Sequence, residues 1–271
     1  MTGESYASLL DLACDTAREA GRMLIERRPA AGPDVVLTKS SPTDVVTQMD
    51  SAAERLIVER IRRARPGDAF LGEEGGSSAG SSGVRWIIDP IDGTVNYLYD
   101  LPEWAVSVAA EVEGEIVAGA IEIPHYGETF TAVRGGGAFL HTRAGVRQLR
   151  CNSGVPLAQA LVATGFGYFA ERRAHQAEVL RGVLPRVRDI RRGGSCCVDL
   201  CSLASGRVDA YYERGVQEWD TAAGALIVRE AGGHVGGLAG AEAGPEFTIA
   251  AEPVLFEALH DLLTQLDPAH D

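Results

Sequence analysis

Two aspartates separated by Pro90-Ile91, in the segment Asp89-Pro90-Ile91-Asp92-Gly93-Thr94, follow directly on the apolar run Arg85-Trp86-Ile87-Ile88. Pro90 restricts the backbone and Gly93 permits a close approach, so both carboxylates are presented at the end of a strand. Carboxylates crowded in this way repel each other unless a cation compensates them, and their hard oxygens suit a divalent ion. The local sequence leaves three readings open: a metal site, a solvated turn, and a structural network.

Other acids stand at comparable positions. Glu73 and Glu74, beside Gly72 and Gly75, follow a second short apolar stretch and also fit an exposed loop. Asp220 directly precedes the run Thr221 to Glu230, where a carboxylate caps free N–H groups and can also offer an oxygen to a cation. Asp50, with Asp44 and Thr47, lies near the start of another helix, where capping is the plain expectation. Lys39, in Lys39-Ser40-Ser41-Pro42, can supply positive charge over a phosphate or simply stand in an exposed loop. Gly193-Gly194-Ser195 before a helix offers N–H groups and a hydroxyl to an anion or a sugar, and serves equally well as a routine helix start. Glu213, after Tyr211-Tyr212, is a surface acid or an acceptor for polyol hydroxyls.

Thiol, histidine and zinc chemistry have weaker support. The six histidines are scattered. The five cysteines, Cys14, Cys151, Cys196, Cys197 and Cys201, are odd in number and lack zinc spacing. Cys196 and Cys197 lie where a helix start can lower a thiol pKa, but no general base accompanies them in the sequence.

The elements that must position these residues are legible from periodicity. Leu9, Leu12, Ala13, Thr16, Ala17, Ala20 and Leu24 recur at helical spacing, predicting a helix from Tyr6 to about Arg28. A second helix is expected from about Thr47 through Arg63, then strands at 69–71 and 85–88 with a Gly/Ser-rich segment at 75–83 between them. Strands at 104–109, 116–123 and 128–133 are joined too tightly for crossover helices and are therefore largely antiparallel. The second half alternates: strand 161–164, helix 170–184, helix 195–204, strand 208–212, helix 221–230, strand 247–251 and a last helix from Pro253 to about Leu263. The expected fold is mixed α+β, one domain over residues 1–271, with closely packed lobes at about 1–145 and 146–271.

At 45% hydrophobic and 23% charged residues, the chain is an ordinary globular one. Its formal charge of -13 repels nucleic-acid backbone, so no dedicated nucleic-acid partner is expected. The same charge disfavours a phosphorylated substrate unless bound cations reverse the local potential. No run approaches a membrane span and no basic-then-apolar leader opens the chain, so a cytoplasmic location without membrane attachment is the expectation.

Taken together, Gly72-Glu73-Glu74, Asp89 to Thr94 and Trp219-Asp220-Thr221-Ala222-Ala223-Gly224 resemble the signature segments of the inositol monophosphatase family. The resemblance extends over about residues 5–265 and implies a layered αβαβα sandwich, a homodimer, and a lithium-sensitive enzyme with two or three Mg2+ ions per site. It implies that Glu73, Asp89, the Ile91 carbonyl, Asp92 and Asp220 hold metal, with Thr94 contributing, and that Asp50, Glu73 and Thr94 are catalytic. Substrate contacts are implied for Lys39, Asp92, Gly93, Thr94, Gly194, Ser195, Glu213 and Asp220. The implied reaction takes inositol 1-phosphate and water to myo-inositol and phosphate without a phosphoenzyme. Histidinol phosphate, fructose 1,6-bisphosphate and NADP remain alternative substrates of related phosphatases, and an RNA-polymerase or ribosome-associated interaction protein is the non-enzymatic alternative. Ser195-Cys196-Cys197 departs from the Thr and small Ala residues that many members carry there, which bears on the sugar side.

Overall fold

A computed structural model describes residues 6–30, 32–39 and 45–269. Helix α1 (Tyr6–Glu26) buries Leu9, Ala13, Ala17, Ala20 and Leu24, one residue per turn along a single face. After β1 (Val35–Thr38) and β2 (Val45–Thr47), helix α2 (Gln48–Ala64) opens on a capping box: Thr47 Oγ1 accepts from the Met49 N–H, and the Asp50 carboxylate accepts from the Thr47 N–H. Asp44 and Ser40-Ser41-Pro42 lie outside the described residues.

The chain continues through β3 (Ala69–Gly72), β4 (Gly76–Ser78), β5 (Val84–Asp92) and the short helix α3 (Thr94–Leu98). It then forms β6 (Ala105–Val112), β7 (Glu115–Ile123), β8 (Glu128–Val133), β9 (Gly137–Thr142) and β10 (Gly145–Gln148). The second half holds β11 (Leu161–Thr164), α4 (Ala170–Val183), β12 (Asp189–Arg191), α5 (Cys196–Ala204), β13 (Ala210–Glu213), α6 (Glu218–Glu230), β14 (His234–Gly236), β15 (Thr248–Ala251) and α7 (Pro253–Gln265).

The strands form an eight-stranded sheet in the order β10-β9-β8-β7-β6-β5-β3-β4 and a five-stranded sheet in the order β12-β11-β13-β15-β14, besides the β1-β2 pair. Side chains alternate across each strand, so each sheet builds two cores. Trp86, Ile88, Val108 and Ala110 pack with α1 and α2, while their neighbours Ile87 and Ala109 turn to the opposite face. That opposite face shares its core with α5, α6 and the inner side of the second sheet, at Ala163, Tyr211 and Ala250. The outer side of the second sheet, through Val162, Ala210, Tyr212 and Ile249, packs on α4 and α7. Three cores therefore separate five layers, the αβαβα order that the sequence implied.

The expected helices and main strands are present, and β5 through β9 run antiparallel from β5 onward. Short elements were not foreseen, among them β1 and β10, whose residues are exposed throughout and leave no apolar alternation to read. Among the described residues no helix is long and apolar enough to cross a membrane.

Candidate active site

Strands β3 and β5 are parallel, with Gly72 opposite Ile88, so their C-terminal ends lie side by side. Glu73 leaves one and Asp89 the other, and the Glu73 N–H donates to the Ile88 carbonyl at 3.3 Å. Asp92 follows Asp89 by three positions, which in a regular pleat would send their side chains to opposite faces. The pairing with β6 corrects this: Asp89 lies opposite Ser107 and Asp92 opposite Ala105, so the β5 side carries one extra residue. That bulge turns both carboxylates to one place. Asp220 arrives from α6, and oxygens of Asp89, Asp92 and Asp220 all lie within 4.8 Å of one another. Asp220 is not the residue before the helix, as the sequence suggested, but its third residue. Its Oδ2 accepts from the Gln217 N–H at 2.6 Å in a capping box, because Gln217 takes the cap position.

Each carboxylate is held by a specific donor. Asp92 Oδ2 accepts from Ser195 Oγ at 2.6 Å and from the Cys197 N–H at 2.5 Å, which ties the bulge to the start of α5. Asp89 Oδ1 accepts from the Ile91 N–H at 3.0 Å. The Thr94 hydroxyl stands 3.0 Å from both Asp50 Oδ1 and the Ile91 carbonyl, and its proton can go to either. Asp50 is fully buried, and its second oxygen accepts from the Thr47 N–H at 2.8 Å and the Thr47 hydroxyl at 2.6 Å. Gly93, at φ 92, occupies a left-handed conformation, and a Cβ there would fall 2.9 Å from the Glu103 carbonyl oxygen.

Burial raises the pKa of every acid in the cluster, and mutual repulsion adds to it. Asp89 is pushed far above the usual carboxylate range by burial, then by Glu73, Asp92 and Asp220. Asp220 is raised in the same way by burial and Asp92. Asp92 is raised by burial, against the opposing hydrogen bonds from Ser195 and Cys197. Glu73 is pushed up to about 7 by burial, although Lys39 opposes the shift. Lys39 Nζ donates to Glu73 Oε1 and Glu74 Oε1, both at 2.7 Å, and these acids raise its pKa against the effect of burial. Buried, converging carboxylates with hard oxygen donors and too little compensating charge fit a divalent cation, which would favour their ionised forms.

The structure gathers Lys39, Glu73, Asp89, Ile91, Asp92, Gly93, Thr94, Gly194, Glu213 and Asp220 around one pocket of about 460 Å3. Ser195 is buried against it through Asp92, and Asp50 reaches it through Thr94. A larger groove of about 880 Å3, between α6, β14 and α7, contains none of these residues. Glu213 ends β13, where burial pushes its pKa up to about 7 and Tyr211 Oη, donating to Glu213 Oε2 at 2.9 Å, opposes that shift. The thiols of Cys196 and Cys197 are raised by burial and by the nearby acids, which removes them as nucleophiles. All five cysteines are free.

Sequence reasoning missed Glu54, which accepts from the Glu74 N–H at 2.9 Å and the Gly75 N–H at 2.6 Å and so fixes the Glu73 loop. The available signal was its position one helical turn after Asp50, on the same face of α2. It also missed Arg172, Arg192 and Arg214, which line the pocket from three separate segments that share no local motif.

Residues 5–268 match the inositol monophosphatase family. The inositol-1-monophosphatase of Mycobacterium leprae is 48% identical over 237 residues, spanning 85% of this chain and 81% of the relative. A protein of Pasteurella multocida called Nus factor SuhB is 40% identical over 84% of each chain. Among solved structures, Mycobacterium tuberculosis SuhB superposes with a TM-score of 0.85 at 42% identity, covering 99% of this chain and all of that one.

Proposed function

The chain belongs to the inositol monophosphatase family, and from that premise we propose that it hydrolyses inositol 1-phosphate to myo-inositol and phosphate, using two or three Mg2+ ions. It is an enzyme of the metal-dependent phosphatase type. The observation that carries the reading is the convergence of Asp89, Asp92 and Asp220 within 4.8 Å.

Divalent cations, when bound, neutralise phosphate charge and make a water more acidic. In this reading Glu73, Asp89 and the Ile91 carbonyl would hold the cation nearest the attacking water, and Asp89, Asp92 and Asp220 the second. Thr94 and Asp50 orient that water: Asp50, buried and fixed by two bonds from Thr47, is a rigid acceptor for the Thr94 hydroxyl, whose lone pair would accept a hydrogen bond from the water, with the proton lost on attack passed through Thr94 to the Asp50 carboxylate. The backbone of Gly93 and Thr94 faces the phosphate, and Lys39 would exchange its glutamates for phosphate oxygens. Glu213, Gly194 and Ser195 serve the polyol, with Asp92 and Asp220 beside the leaving oxygen. Cys196 and Cys197, in place of smaller residues, add bulk next to the sugar side.

A homodimer belongs to the same reading, supported by exposed Tyr99, Leu101 and Tyr126, the last donating to Glu103 at 3.0 Å. The complete carboxylate set favours catalysis over a purely interacting role. The test is a panel of phosphate esters hydrolysed in 18O-labelled water. Inositol 1-phosphate should give the highest kcat/KM among monoesters, with the label in phosphate. A preference for histidinol phosphate, or label in the alcohol, would contradict the reading.

A further inference from the structure

Asn96 is buried in the short helix α3, two residues after Thr94. Its Nδ2 donates to the Glu103 carbonyl at 2.6 Å and to the Gly193 carbonyl at 2.9 Å. Both partners are pure acceptors, so the amide nitrogen must face them and both of its N–H groups are used. One side chain thereby ties together the turn that carries Asp92 and Thr94, the stretch that enters β6, and the approach to α5. The junction is closely packed: a Cβ at Gly93 would fall 2.9 Å from the Glu103 carbonyl oxygen and 3.2 Å from Ser195 Cβ, and one at Gly194 3.0 Å from Asn96 Nδ2. The Asn96 carbonyl in turn accepts from the Leu101 N–H at 2.9 Å, which closes the loop leading to Glu103.

This junction leads by a short chain of contacts to a carboxylate of the cluster. Ser195, two residues after Gly193, caps α5, and its hydroxyl and the Cys197 N–H both donate to Asp92 Oδ2. The direction of the Asp92 carboxylate is therefore set by where α5 starts. The segment that places that start is Gly193-Gly194, with Gly194 in the left-handed region at φ 95. Two successive glycines hold no conformation by themselves, so the approach to α5 needs an external anchor to keep one shape. The Asn96 amide supplies that anchor at Gly193. The other acids around the cations are fixed differently: Asp89 by the Ile91 N–H, and the Glu73 loop by Glu54.

We propose that Asn96 is a positioning residue for the second cation: by pinning Gly193 it holds the start of α5, and through Ser195 and Cys197 it aims the Asp92 carboxylate. The inference rests on the cation reading of the same site. In this role Asn96 touches neither the substrate nor a cation. Its loss falls on the cation shared by Asp89, Asp92 and Asp220, and spares the one held by Glu73, Asp89 and the Ile91 carbonyl.

The test uses N96L, which keeps a similar volume without donors, and N96S, which keeps one donor on a shorter arm. Mg2+ binding is measured by calorimetry on chelator-treated, substrate-free protein, beside the Mg2+ dependence of inositol 1-phosphate hydrolysis. In N96L the weaker binding step and the Mg2+ concentration for half-activity should both shift by about tenfold, the size expected when a ligand loses its supporting contacts. N96S should fall between N96L and wild type, and kcat at saturating Mg2+ should return close to the parent value. S195A should weaken the same step, and N96L added to S195A should weaken it further by much less than N96L does alone, because both act through Asp92. Circular dichroism shows whether each variant folds, and N96S is held to the same criteria if N96L does not. Unchanged Mg2+ binding in a folded Asn96 variant would overturn the proposal while leaving the cation reading intact. A loss of kcat that saturating Mg2+ does not restore, or equal N96L effects with and without Ser195, would overturn it as well, by showing a general structural role. Wild-type protein that binds no Mg2+ would overturn the cation reading and the proposal with it.

Discussion

Replacing Glu213 by Gln removes a charge from the polyol side while leaving the scaffold in place. Tyr211 Oη can still donate, at the present 2.9 Å, to the amide oxygen, and the buried end of β13 keeps its shape. What is lost is a charged acceptor for inositol hydroxyls, worth about 1.5–3 kcal/mol when well engaged, or roughly a 10- to 150-fold fall in kcat/KM. The Glu213 carboxyl is pushed up to about 7 by burial, so its charged form gains as pH rises through that region. The gap between wild type and E213Q should accordingly widen with pH over that range. The assay is kcat/KM for inositol 1-phosphate at pH 6, 7 and 8, beside a small aryl phosphate that lacks the hydroxyls. The aryl ester should be hydrolysed at nearly the parent rate. Equal losses on both substrates would refute the reasoning by showing general damage, and no loss on inositol phosphate would point to a different natural substrate.

Thr94→Val removes the hydroxyl shared between Asp50 and the Ile91 carbonyl. It should lower kcat by about 100-fold or more with little change in KM, and a KM effect alone would argue against a role in orienting water. D220N keeps an oxygen to accept from the Gln217 N–H but loses one ligand charge. Its circular dichroism should match wild type while the Mg2+ concentration for half-activity rises by at least roughly tenfold, and an unchanged Mg2+ requirement would remove Asp220 from the cation shell. Glu73 and Glu213 both titrate near 7 in the cation-free protein, above their ordinary range. Acids raised on folding stabilise the native state below their unfolded pKa, and that contribution is lost as pH rises through the folded value. The Tm of chelated protein should therefore fall between pH 5 and 8, with Mg2+ restoring most of it at the upper end, and a flat Tm would show that folding does not raise the pKa of these acids.

The parts of the site built from contiguous residues were legible in the sequence, because strand ends and helix starts announce themselves locally. Asp89, Asp92 and Glu73 stand after apolar runs, and the capping role of Asp50 follows from its place near Thr47. Two things were not legible. The bulge at Pro90-Ile91 that brings Asp89 and Asp92 to one side depends on pairing with β6, a partner 105–112 in the chain. The three arginines that line the pocket, Arg172, Arg192 and Arg214, come from separate segments around the second sheet, so no spacing rule marks them. The layered fold itself was implied by family resemblance, while periodicity alone supplied helices, strands and their largely antiparallel order. The edge strands escaped because β1 and β10 bury no alternating face.

The central claim is that the buried acids work by holding divalent cations. The most direct measurement is phosphate release from inositol 1-phosphate by chelator-treated enzyme as Mg2+ is titrated back, with Li+ as a competing addition. Turnover should be absent before Mg2+ is added, rise as it is restored, and fall again on adding Li+. Full turnover in the presence of excess chelator would contradict the account.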